Sequence, residues 1–296
     1  MIVLVDFLAN LPNVFRERYL NIHETYLYGI AYIIDKMYKP SNYRIMSTRM
    51  LLQLLSQEPK LSEKRQDSNQ ETLEFRNLRN SWYHECALNY PFNSLDERLK
   101  FASWKIIQCY YSVLSSVASL VCCYNKERKS VDAILNIYAR EFPSKKERKA
   151  FVLPPFNLYL NQQGVIPNDA IELINLKYAK ALGVPRITKC LQSAHKENSV
   201  TAIPHYLRTL RDWVTYQDAY LLFRLYGQSP KLTLDSALSK IAFAYCLQTE
   251  FYLINLFGWD AFKRQHKVFS TELKNNLEIE SPTLSARFNA LESLNL

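Results

Sequence analysis

Ala102-Ser103-Trp104-Lys105-Ile106-Ile107-Gln108-Cys109-Tyr110-Tyr111-Ser112-Val113-Leu114 is the centre of a longer run, Leu95 to Tyr124, whose spacing predicts one long helix. Ser94 and Glu97 stand at capping-box spacing ahead of it, so a hydroxyl can satisfy an early N–H while a carboxylate reaches back to the cap. Leu99, Ala102, Ile106, Tyr110, Val113, Val117 and Val121 then recur at three- and four-residue steps. That recurrence makes one face apolar for about six turns and marks the helix as a core element.

Outward from this helix the pattern stays helical. Phe15, Tyr19, Ile22, Tyr26, Ile30 and Ile33 predict a helix between Pro12 and Tyr38, and a second from Arg44 to Leu55 completes a hairpin. Ser56 to Glu74 is polar and charged and predicts an exposed loop or linker. Leu73 to Tyr90 fits a helix through Phe75, Leu78, Trp82 and Cys86. Further helices are expected over Ser130 to Phe142, Asn168 to Leu182, Arg186 to Ala194 and Pro204 to Tyr226. Others cover Leu234 to Phe257 (stopped by Gly258), Trp259 to Leu273 and Pro282 to Leu291. Proline in a first turn and glycine past a last turn set several of these limits. No strand alternation and no repeat at solenoid period appears, so the expected class is all-α.

Composition narrows the chemistry. The chain has 296 residues, 48% hydrophobic and 22% charged, enough to bury a substantial core without a staple. It has five glycines, Gly29, Gly164, Gly183, Gly227 and Gly258, spaced too widely for a phosphate-cradling loop or a dinucleotide fingerprint. Cys86, Cys109, Cys122, Cys123, Cys190 and Cys246 lack zinc-site spacing and read as free, mostly buried thiols. Cys190 and His195, with His205 nearby, lack further ligands, and no metal or cofactor is expected. The start of the chain does not resemble a secretory signal, and no uninterrupted apolar run approaches a membrane span. A cytoplasmic, membrane-free setting is therefore expected.

A net charge of +9 and a pI near 9.1 favour phosphate-rich or acidic partners. The cations form three clusters, at Lys126, Arg128 and Lys129, at Lys145, Lys146, Arg148 and Lys149, and at Lys263, Arg264 and Lys267. Solvated helix ends explain such runs as readily as nucleic acid does.

The stretch quoted above resembles the "A-x-x-x-YY-x-x-F" helix of the HEPN superfamily of small helical bundles. Tyr206-Leu207-Arg208-Thr209-Leu210-Arg211-Asp212-Trp213-Val214-Thr215-Tyr216-Gln217-Asp218 is similar to that fold's later, Arg-bearing helix, with Tyr and Asp where a His commonly stands. The likeness runs from about Leu95 to Gly227, under half the chain. It implies metal-independent RNA cleavage by a homodimer, in a toxin, anti-phage or stress-response system. In such a site a His takes the 2′-hydroxyl proton while Arg holds the phosphate.

Arg79-Asn80-Ser81-Trp82-Tyr83-His84 supplies the Arg-x4-His spacing and nominates Arg79 and His84 as a catalytic pair, although it precedes the Tyr-Tyr helix rather than following it. Arg18 and His23 repeat the spacing. Arg208, Arg211, Tyr216 and Lys105 are the expected nucleic-acid contacts, and Trp82, Tyr83, Tyr110, Tyr111 and Trp213 are further aromatics able to stack bases or to fill a core. The expected organisation is a hairpin over 1–58, a polar linker over 59–74, a HEPN-like bundle over 75–230 and C-terminal helices packing on it over 231–296. RNA and a second copy or partner protein are the expected partners. A non-catalytic nucleic-acid-binding or protein-interaction subunit is the alternative.

Overall fold

The computed structural model describes Leu27 and residues 72–91, 101–123, 130–141, 159–161, 200–216, 234–278 and 281–293. Among these the fold is all-α, with seven helices: α1 (Leu73–Leu88), α2 (Ala102–Cys123), α3 (Val131–Glu141), α4 (Ile203–Tyr216), α5 (Leu234–Phe257), α6 (Trp259–Leu277) and α7 (Pro282–Glu292). One short antiparallel pair, β1 (Tyr159–Asn161) with β2 (Val200–Ala202), joins Tyr159 to Ala202 and Asn161 to Val200. Three residues per strand are too few to leave an alternation in the sequence. The cap at Ser94 and Glu97, the N-terminal hairpin apart from Leu27, Arg18 and His23, the helices expected between 168 and 194, and Asp218 lie outside the described residues.

α2 is the hub, with α1, α4 and α5 packed directly on it. From Ala102 onward every position of its expected apolar stripe is buried, Ile106, Val113, Val117 and Val121 completely. Each such side chain contributes about 1.5–3 kcal/mol on leaving water. Among the described residues α2 is also the one helix long and apolar enough to cross a membrane, but 78% of that window is buried inside the protein. Lys105, Gln108 and the serines interrupt its apolar run without lowering its mean hydropathy much, which is why a search for uninterrupted runs passes over it.

The serines instead let helices approach. Ser81 of α1 hydrogen-bonds the Ser112 carbonyl at 2.8 Å and lies 2.8 Å from the Ser116 hydroxyl and 3.1 Å from the Cys246 thiol of α5, all buried. α5 is buried on nearly every side and completes the core between α1 and α2 rather than lying against a finished bundle. Such a helix is apolar all round.

The local signals locate most helix ends. The Ser130 hydroxyl accepts from the Ala133 N–H at 3.2 Å and the Ser281 hydroxyl from the Leu284 N–H at 3.4 Å, with Pro282 at the first helical position. Gly258 separates α5 from α6 at φ 86°, where a side chain would strain the backbone. The polar linker ends earlier than expected, because Leu73 and Glu74 already belong to α1 and Glu74 is buried.

A C-terminal clamp escaped the sequence reading. Arg287 of α7 places Nε 2.9 Å from both Glu250 carboxylate oxygens and Nη2 2.7 Å from Glu85, while Trp82 Nε1 donates to Glu250 at 2.7 Å. Arg287, Glu85 and Glu250 are each 0% exposed, so this network ties α7 to α1 and α5 inside the core. Charges so far from water persist only when paired.

Candidate nucleic-acid site on the outer face of α2

Tyr111 lies on the side of α2 turned away from α5, between α1 and α4. His84 of α1 stacks on its ring at 5.3 Å with 26° between planes, and the Arg211 guanidinium of α4 lies 5.8 Å from the same ring and 4.9 Å over that of Tyr110. Two helices far apart in sequence thus converge on the Tyr-Tyr pair. Amphipathicity explains the convergence, because Tyr206, Leu207, Leu210 and Val214 bury one side of α4 on the core and leave Arg208 and Arg211 at its edge.

His84 is oriented by Gln108, whose Oε1 lies 2.8 Å from Nδ1. Arg208 pairs with Asp132 of α3 and approaches Asp212 at 4.0 Å, and Arg211 pairs with Asp212 at 2.9 Å. The Arg211 Nε and the Tyr110 hydroxyl are both buried, with the guanidinium lying beside the phenol. Burial raises the Tyr110 phenol above its ordinary value, with Arg211 opposing it, so the phenol stays protonated at neutral pH. His205 lies 3.3 Å from Asn136, and burial with the neighbouring Arg208 lowers its pKa, opposed by Asp132. Arg208 itself is held charged chiefly by its bond to Asp132.

The nominated residues divide between this face and others. His84 and Arg211 each approach the Tyr111 ring, and Arg208 shares Asp212 with Arg211. Arg79 does not join them, since its Nη1 is 4.0 Å from Glu272 of α6, which also accepts from the Tyr83 hydroxyl at 3.0 Å. Five steps along a helix leave about 140° between two side chains, so Arg-x4-His does not share one face. Lys105 is corrected too, being 5% exposed with Nζ 2.9 Å from Asp235 of α5. Its charge is spent inside the bundle and cannot reach a strand of nucleic acid. Tyr216 closes α4, and its side chain, like that of Trp213, lies outside the described part. Trp82 is fully buried against Phe262 and Phe269.

Gln108, Asp132 and Asn136 had no sequence signal beyond polarity on an otherwise apolar helix or in its first turns. Among the described residues no three His, Cys, Asp or Glu side chains converge as metal ligands. Cys86, Cys109, Cys123 and Cys246 are buried free thiols, with burial pushing Cys246 up to about 12 and Cys86 to about 11, so they are poor nucleophiles. Comparison with known protein families, curated proteins and solved structures gives no match.

Proposed function

We propose that the chain is an RNA-directed protein whose outer α2 face receives a phosphodiester between His84 and Arg211, and that it cleaves the strand there without a metal. The observation that carries this reading is the approach of both His84 and the Arg211 guanidinium to the Tyr111 ring. Arginine suits a phosphate because its planar donors reach two oxygens at once. Imidazole is the side chain that exchanges a proton near neutrality, as removal of a 2′-hydroxyl proton requires. Gln108 fixes one ring nitrogen and leaves the other for that exchange.

Asp132 and Asp212 favour a second reading, because they already balance much of the charge of Arg208 and Arg211. On that reading the same face holds RNA or a protein without cleaving it. Incubating the intact chain with tRNA and unstructured RNA in EDTA separates the two. Cleavage with 2′,3′-cyclic phosphate ends, falling about 10²- to 10⁴-fold in His84→Ala and comparably in Arg211→Met, is expected. Binding without cleavage, lost in Arg211→Met, selects the non-catalytic reading, and neither binding nor cleavage overturns both RNA readings.

A further inference from the structure

Positions of α2 that keep contact with solvent include Trp104, Ile107, Tyr111, Ser115 and Cys122, which recur at three-, four- and seven-residue steps and so form one outward stripe. Tyr111 in this stripe is already committed, stacked by His84 and approached by Arg211. Trp104 is not. It is 48% exposed, and among the described residues it makes no ring contact or hydrogen bond. Seven residues separate it from Tyr111, which puts it within about 20° of the same helical direction and about 10 Å along the axis. Phe101, 45% exposed, lies a further three residues toward the start of the helix.

An indole left open to water on an otherwise packed helix offers a flat apolar surface. Its place in line with His84, Tyr111 and Arg211 says what would cover it. We infer that Trp104 is a base-stacking platform for an unpaired stretch of the strand whose phosphate sits at Arg211. The inference rests on the RNA reading above and adds to it the requirement that the bound segment be single-stranded. A span of about 10 Å corresponds to roughly three stacked nucleotides at 3.4 Å each. The strand would lie along α2 with its backbone toward α4, where the guanidinium groups are, and with one base turned onto the indole. A base within a duplex has both faces covered by its neighbours and cannot reach Trp104 in this way. Stacking of this kind tolerates any base, because each has a π-face.

The test uses a short fluorescein-labelled oligouridylate and an abasic strand with the same number of phosphates, titrated in EDTA at low salt with the full chain and with Trp104→Ala, Trp104→Phe and Arg211→Met. Trp104→Ala is expected to weaken oligouridylate binding roughly five- to 150-fold, and Trp104→Phe to restore most of it. The abasic strand is expected to bind the intact chain and Trp104→Ala alike. Because Trp104 is half exposed, unchanged far-UV circular dichroism checks that its loss leaves the bundle intact. Oligouridylate binding that falls in Arg211→Met and is unmoved in Trp104→Ala overturns the stacking inference while leaving the RNA reading in place. Absence of RNA binding by the intact chain overturns both. If Trp104→Ala turns a self-associating chain into a monomer without changing RNA affinity, the indole belongs to a contact between copies and the inference fails.

Discussion

His84 and Arg79 show how much a single residue's direction decides. Both belong to α1 and stand at a spacing that suggests partnership, yet one faces Tyr111 and the other Glu272 of α6. The arginine that geometry brings to the same ring as His84 is Arg211, more than a hundred residues away in sequence. Arg79→Ala is therefore expected to leave RNA binding and cleavage close to those of the intact chain, while Arg211→Met lowers both. Run beside His84→Ala in the cleavage assay, the three variants test which arginine serves the site, and an equal loss in Arg79→Ala would contradict the assignment. The Arg79 and Glu272 pair is partly solvated, so its removal should cost no more than about 1 kcal/mol of stability.

The helices divide into those the sequence announced and those whose partners it concealed. The apolar stripe of α2, the stop at Gly258 and the start at Pro282 were legible because periodicity, glycine and proline act locally. The candidate site was half legible, since the Tyr-Tyr pair and the two α4 arginines stand out in the sequence while the Arg-x4-His spacing turns its two side chains about 140° apart. The clamp at Arg287 was invisible, because its carboxylates come from two other helices and an arginine in an amphipathic stretch reads as surface. Removing that arginine leaves two carboxylates buried without a counter-charge, so Arg287→Met is expected to destabilise the fold by about 3–5 kcal/mol, read by thermal or urea unfolding. A loss under 1 kcal/mol would mean that water reaches the network. The same helices give stability a pH dependence. Burial pushes Glu250 up to about 7 from its ordinary 4.5, with Glu85 adding to the rise, and Arg287, through its charge, and the Trp82 and Arg287 hydrogen bonds opposing it. A raised carboxyl contributes stability fully below about 4.5 and loses it as pH rises through 7. His266, stacked on Phe288 at 4.1 Å, acts oppositely, since burial and Arg287 push it down to about 4 and its contribution is lost as pH falls. The Glu250 part is isolated by comparing unfolding of the intact chain and Glu250→Gln between pH 4.5 and 9. Stability of the intact chain should decline relative to the variant by about 1 kcal/mol per pH unit between about 4.5 and 7 and level off above 7. Parallel profiles would contradict it.

Over the whole molecule, the charge of +9 supplies an attraction to polyanions that no single residue does. Lys263, Arg264, Lys267 and Lys274 lie exposed on α6 and add to that field without belonging to the α2 face. General attraction and a defined site differ in their dependence on salt, because each phosphate neutralised by a fixed cation releases counterions and steepens the fall of affinity. The α2 face predicts two such contacts, Arg208 and Arg211, on a strand whose bases lie toward Trp104. The most direct measurement is the affinity of single-stranded RNA at a series of salt concentrations for the intact chain and for Arg208→Met with Arg211→Met, the fold of each checked by circular dichroism. The account predicts a log–log salt slope shallower by about one to two units in the double variant, together with weaker binding at every salt concentration. An unchanged slope and affinity, or no binding by the intact chain, would contradict the claim that this face receives RNA.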